Sequence, residues 1–266
     1  MCAMDKNQLT SQDVKNLSKN LQTENKSVVA QKVSAYYNGH TVTPKGLRLA
    51  EDIFRIMVRD VEAKVRQVLA ESLKNTHNLP EDIVQSVIKD TDAVAVPFIK
   101  YYADLNAEDL IKILDIPSIN KQKAVAQRLN LPNEISEYIV ERCPEEVVGV
   151  LISNETANIH EKTYNTIVEK YRQSEDIKKR LVYRTELPTS VIEKIANSLS
   201  EDLKRRLILS HNLPADLATD IIEEVKEKTT LRISEDYSSD KQIEELVHQL
   251  YTSNRLTPNL VVRSIC

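Results

Sequence analysis

The chain has 266 residues, of which 41% are hydrophobic and 29% charged, with a formal net charge of −4. That balance predicts a soluble, folded chain, neither disordered nor membrane-embedded, and the acidic excess argues against a dedicated nucleic-acid binder. Three glycines, nine prolines and no tryptophan leave little material for phosphate-cradling loops, dinucleotide-binding turns or barrels, so the chain is expected to be nearly all helix.

In chain order, the first elements are a helical pair over about 9–20 and 25–38, then a polar link containing Gly39, Pro44 and Gly46. The longest early helix is expected from about Leu49 towards Asp60. From there a repeated signal takes over. Asn78-Leu79-Pro80, Asn130-Leu131-Pro132, Glu186-Leu187-Pro188 and Asn212-Leu213-Pro214 are each followed by apolar residues at +4, +8 and, in most, +9 from the leucine. The +8 and +9 pairs are Val87/Ile88, Ile139/Val140, Ile195/Ala196 and Ile221/Ile222. This spacing lies on one helical face. Proline suits a first helical position, where its missing N–H is unbonded anyway, and the acids Glu81, Asp82, Glu134 and Asp216 then favour the positive end of the helix dipole.

Weaker copies begin at Leu49, Leu105 and Ile159, so successive starts are separated by 30, 26, 26, 28, 28 and 26 residues. A unit that short holds two helices and tight turns. The predicted fold class is all-α, a right-handed α-solenoid of short HEAT-like helical hairpins in which each hairpin contacts mainly its neighbours. The expected division is an N-terminal helical pair (1–46), a repeat array (47–233), and a linker with a C-terminal helical cap (234–266). Within the last part, Ser234–Asp240 reads as the linker, and 242–251 and 256–265 as helices.

Val61–Leu73, with a Val-Arg pair ahead of Ala and Leu positions, resembles the helix of HEAT repeats. Together with Arg48–Phe54 before it and Asn78-Leu79-Pro80 after it, the stretch resembles the domain-of-unknown-function 2336 family, HEAT-like proteins found mostly in alphaproteobacteria. Gln249–Leu260 is similar to that family's C-terminal segment, and the resemblance runs from about residue 9 to the end. It implies the helical repeat fold and brings no established catalytic residues. Family members usually continue with a Gly-Asp and aromatic-containing stretch, so the segment ending at Cys266 is expected to be truncated.

Chemistry-bearing patterns are sparse. His40, His77, His160, His211 and His248 are scattered without metal-ligand spacing. Cys2, Cys143 and Cys266 form no disulfide framework, and Cys143 reads as a buried structural thiol. The first residues lack the order of a signal peptide, so a cytoplasmic location is expected. No cofactor and no enzymatic activity are expected. The pairs Tyr36/Tyr37 and Tyr101/Tyr102 read as core-edge packing, with a peptide-gripping role as the alternative.

One constellation stands out. Lys178, Lys179 and Arg180 occupy the same repeat positions as Lys204, Arg205 and Arg206; Lys121 and Lys123 fall nearly in register, and Arg128 and Arg184 each stand three before the Leu. Equal positions line up in a solenoid, which predicts a basic stripe. One reading is a ladder between repeats, or simply a wet face. The other is an electropositive groove for an acidic peptide, phosphate or nucleic acid. The stripe lies early in its helices, where the dipole disfavours cations. The leading expectation is a non-enzymatic protein-interaction scaffold that binds an acidic partner segment along this stripe, with nucleic-acid binding or processing as the alternative.

Overall fold

A computed structural model of the chain describes residues 23–39, 42–196, 198–211, 213, 215, 218–223, 225, 248 and 251. Among these, thirteen α-helices follow one another and no strand is present. The packing divides into two units, Met1–Thr166 and Ile167–Cys266.

In the first unit the helices are α1 (Thr23–Tyr37), α2 (Pro44–Met57), α3 (Ala63–Leu73), α4 (Glu81–Ile88), α5 (Asp92–Tyr101), α6 (Ala107–Leu114), α7 (Ile119–Ala126), α8 (Asn133–Arg142) and α9 (Glu145–Ile152). A further helix, α10 (Glu161–Lys170), carries the chain across the division. The odd-numbered helices α1, α3, α5, α7 and α9 pack side by side, each on the next, while α2 packs on α4 and α6 on α8. Helices adjacent in sequence close hairpins between these two layers. This is α-solenoid packing: the fold is all-α, with each helix on its sequence neighbours. Because α1 packs on both α2 and α3, the residues on either side of position 46 share one packing scheme.

The apolar spacing accounts for the layers. Ile83, Val84, Val87 and Ile88 of α4, Leu110, Ile113 and Leu114 of α6, and Ile135, Ile139 and Val140 of α8 are all buried, the face that the +4, +8 and +9 positions describe. Each such side chain contributes about 1.5–3 kcal/mol by leaving water.

The Leu-Pro turn is built differently from expectation at one position. Pro80 and Pro132 are N-caps, not first helical residues, with ψ of 136° and 149°. Each leaves its own carbonyl to accept the first helical bonds, as Pro80 O does from the N–H groups of Ile83 and Val84. The reversal comes from the residue two before the proline: Asn78 and Asn130 have φ of 55° and 52°, left-handed backbone that asparagine tolerates better than most residues. The leucine between them is then held extended by the proline that follows it.

The polar link also ends earlier than expected. Pro44 is the first residue of α2, the Thr43 side chain caps it by accepting from Gly46 N–H, and Gly46 lies in the first turn. A Cβ on Gly46 would meet the Tyr36 hydroxyl, so glycine here leaves room for the Tyr36 ring.

In the second unit, α11 (Glu175–Tyr183), α12 (Thr189–Ala196) and α13 (Glu201–Ser210) follow α10, and α11 packs on α13. Val191, Ile192, Ile195 and Ala196 of α12 are buried, as are Ile177, Leu181 and Val182 of α11. Ile221 is buried as the Leu-Pro spacing predicts, whereas its neighbour Ile222 is exposed. The predicted helix at 9–20, the linker Ser234–Asp240 and the capping segments after it lie outside the described residues, except for the helical positions His248 and Tyr251. Among the described residues no helix is long and apolar enough to cross a membrane.

Candidate functional site

The ten cations singled out in the sequence separate into two sets. Lys121, Lys178, Lys204 and Arg184 are buried, with 5%, 8%, 1% and 5% of their surface exposed, and Arg128 is partly buried. Lys123 and Arg180 are intermediate, while Lys179, Arg205 and Arg206 are exposed. The single stripe expected from equal repeat positions is therefore not a surface stripe: its inner half faces the packing between helices.

The buried set has a structural task. Lys121 Nζ on α7 donates to the carbonyls of Ile88 and Asp90, 2.9 and 2.7 Å away, where α4 ends. Lys178 Nζ on α11 donates to Ser198 O, just past the end of α12, and to Glu175 Oε1. Arg128 donates to Ile99 O near the end of α5, and burial pulls its guanidinium below its ordinary pKa. The last carbonyls of a helix have no partner inside it and carry the negative end of its dipole. A cation placed early in one helix is thus disfavoured by that helix and favoured by the end of another, which resolves the conflict read from the sequence.

Two residues that the sequence reading missed belong to the same scheme. Lys26 Nζ on α1 lies 2.7 Å from Asp60 Oδ2 in the turn after α2. Arg66 on α3 donates to Asp60 O and forms a two-pronged pair with Asp90, at 2.6 and 3.0 Å. Burial works to raise the Asp90 carboxyl, but the Arg66 guanidinium and the Thr91 N–H outweigh it and hold it below the ordinary value. Asp60 is lowered in the same way, its burial outweighed by Lys26 and the Glu62 N–H. Lys26 and Arg66 each stand three residues after the first residue of their helix, as Lys178 and Lys204 do. A search anchored on the leucine signals passes over them, because they stand 23 and 13 residues before Leu49 and Leu79. The motif to look for is an aspartate in the turn between two layers.

The opposite row of turns is linked at about one repeat length. Asp104 accepts from Asn78 N–H at 2.7 Å and lies 2.9 Å from His77 Nδ1, while Asn130 N–H donates to Thr156 Oγ1 at 3.1 Å. Asp104 is held below the ordinary carboxylate value, its burial outweighed by the Asn78 N–H and by His77. His77 therefore serves the turn, and His211 Nε2 likewise contacts Val182 O at 3.1 Å. Cys143 is buried, as its place at a helix junction predicts. Tyr102 is buried and stacks on Phe98 with ring centroids 4.6 Å apart, while Tyr37 packs against Phe54 and donates to Asn78 O. Tyr101 is exposed, with Lys74 and Lys100 over its ring.

The outward set is what a partner could meet. Lys123 pairs with Glu146 at 2.7 Å, and Arg180 with Asp176 at 2.6 Å on the same helix. Lys179 and Arg205 are exposed and, among the described residues, form no ion pair. Arg206 lies over the ring of Tyr183, 5.0 Å from its centroid, where the ring face attracts the guanidinium charge. Lys179, Arg180, Arg205, Arg206 and Tyr183 all belong to α11 and α13, two helices packed on each other in the second unit. Beside them a cleft of about 360 Å³ is lined by Val168, Ile177, Leu181 and Ile195, with Arg172 and Lys194 among its polar residues. Among the described residues no cluster of His, Cys, Asp or Glu could hold a metal ion.

Paired helices stacked on their sequence neighbours, with ion pairs and polar links running from one hairpin to the next, define an all-helical repeat protein. The chain belongs to the bacterial family described as uncharacterised protein conserved in bacteria (DUF2336), whose model matches residues 94–266. No curated protein and no solved structure matches the chain.

Proposed function

We propose that this protein is a non-enzymatic, cytoplasmic scaffold of HEAT-like repeats that binds an acidic segment of a protein partner through the exposed cations of α11 and α13. The observation that carries this reading is the pair of exposed residues that form no ion pair among the described residues, Lys179 and Arg205, beside Arg206 seated on Tyr183. On a chain of net charge −4, positive charge exposed on two adjoining helices steers an acidic segment towards them. The planar guanidinium forks of Arg205 and Arg206 match carboxylates. Lys121, Lys178, Lys204 and Arg184 drop out of the binding set because their burial leaves no room for a partner.

The test is fluorescence anisotropy of a labelled glutamate-rich peptide on the full chain across a salt series. Arg180→Glu together with Arg205→Glu is expected to weaken binding about tenfold at low salt and to flatten its salt dependence, with the circular dichroism unchanged. Unaltered affinity in that variant would remove α11 and α13 from the function. A single-stranded oligonucleotide titrated in parallel separates the nucleic-acid alternative, which predicts the steeper dependence on salt.

A further inference from the structure

The cleft beside α11 has a division of labour that the exposed cations alone do not explain. Its floor is apolar: Ile177 and Leu181 on α11, Ile195 on α12 and Val168 on α10. Its exposed cations are Arg172 and Lys194, beside one acid, Glu169; Lys178 also lines it but is buried and bonded to Glu175 and Ser198 O. Its volume of about 360 Å³ is in the range that accepts one or two side chains or a small ligand. Nothing in the packing of a hairpin requires apolar floor and positive rim to coincide. An occupant suited to both must bring an apolar group with negative charge on either side of it.

We infer that this cleft receives a large apolar anchor residue, such as leucine, from the acidic partner segment, with flanking carboxylates on Arg172 and Lys194. The inference rests on the scaffold reading and adds a specificity to it: charge on α11 and α13 brings the segment in, and the cleft selects which acidic segment stays. Arg172 stands in the turn just after α10 and Lys194 in the last turn of α12, and side chains of this length can cover apolar surface with their stems while the charged heads stay in water. An anchor seated in a desolvated pocket and ringed by polar contacts is the usual arrangement for concentrating binding energy in one residue.

Two labelled nonapeptides of glutamate, one with a central leucine and one with a central alanine, test this on the full chain. The leucine peptide is expected to bind about tenfold tighter, the scale of one partly buried leucine side chain. Ser198, exposed and at the cleft, offers a plug: Ser198→Phe is expected to abolish the preference while leaving the alanine peptide's affinity in place. Arg172→Glu, a surface change that keeps the fold, is expected to weaken the leucine peptide more than the alanine peptide. Equal affinity of the two peptides for the unaltered protein, or a preference that survives both variants, overturns the cleft as the anchor site and leaves the scaffold reading standing. If neither peptide binds, both fall. If a thymidine oligonucleotide displaces the leucine peptide from the unaltered protein, the peptide is the wrong occupant.

Discussion

The turn after α4 and the outer faces of α11 and α13 both gather lysine and arginine, with opposite results. At the turn, Lys121 and Arg66 are drawn in by carbonyls and by Asp90, and their charge is spent on holding one repeat to another. On α11 and α13 the next residues in sequence, Lys179 and Arg205, turn outward and meet no carboxylate among the described residues. One helical step decides the outcome, since adjacent residues on a helix are about 100° apart around its axis. The same basic triplet therefore supplies a structural cation and a surface cation together. Sequence position says that both exist; the direction of the core says which is which.

That contrast can be broken most forcefully at Lys121. Replacing it with methionine keeps the stem but leaves two carbonyls at the end of α4 without their donor, and is expected to cost about 3 kcal/mol in urea denaturation. The turns should come next. Asn130→Val places a β-branched residue on left-handed backbone and is expected to cost about 1–2 kcal/mol, whereas Asn130→Gly is expected to be close to neutral in the same assay. A third measurement follows pH. Asp60 and Asp90 have carboxyls lowered in the folded protein, so the unfolded chain binds protons first. Their stabilisation is complete above the ordinary carboxylate value of about 3.9 and is lost as pH falls through the lowered folded values. Asp90→Asn is expected to flatten the decline of stability in that acid range, as read by denaturation at successive pH values. The smallest effect is expected outside: Arg205→Glu should change stability by less than about 0.5 kcal/mol while still weakening capture of an acidic peptide.

Much of the architecture was legible because a helix records its buried face locally. Val87 and Ile88 repeat at Ile139 and Val140, and all four are buried. The Leu-Pro signal was correctly placed at the helix starts but read one position off, since proline's fit to the first turn gives no warning that Asn78 has already reversed the chain at φ 55°. The candidate site was legible only as an inventory. Lys178 stands three and four residues before the buried Leu181 and Val182, so the apolar phase of α11 turns it inward and Lys179 outward, but no local pattern names its acceptor, Ser198 O. Arg172 and Lys194 carry no repeat signature, and the division at Thr166 and Ile167 leaves no mark in composition.

The sequence by itself determined the helices, their phase and the interval at which they recur, because apolar spacing, proline and the scarcity of glycine act within a few residues of one another. Tertiary structure alone decided what the inward-facing cations would bond to. Lys121 finds its acceptors 33 and 31 residues earlier in the chain, and an ammonium on a flexible stem suits water as well as it suits a helix end. Only where the packed layers bring an unbonded carbonyl within reach does burial become the favourable choice.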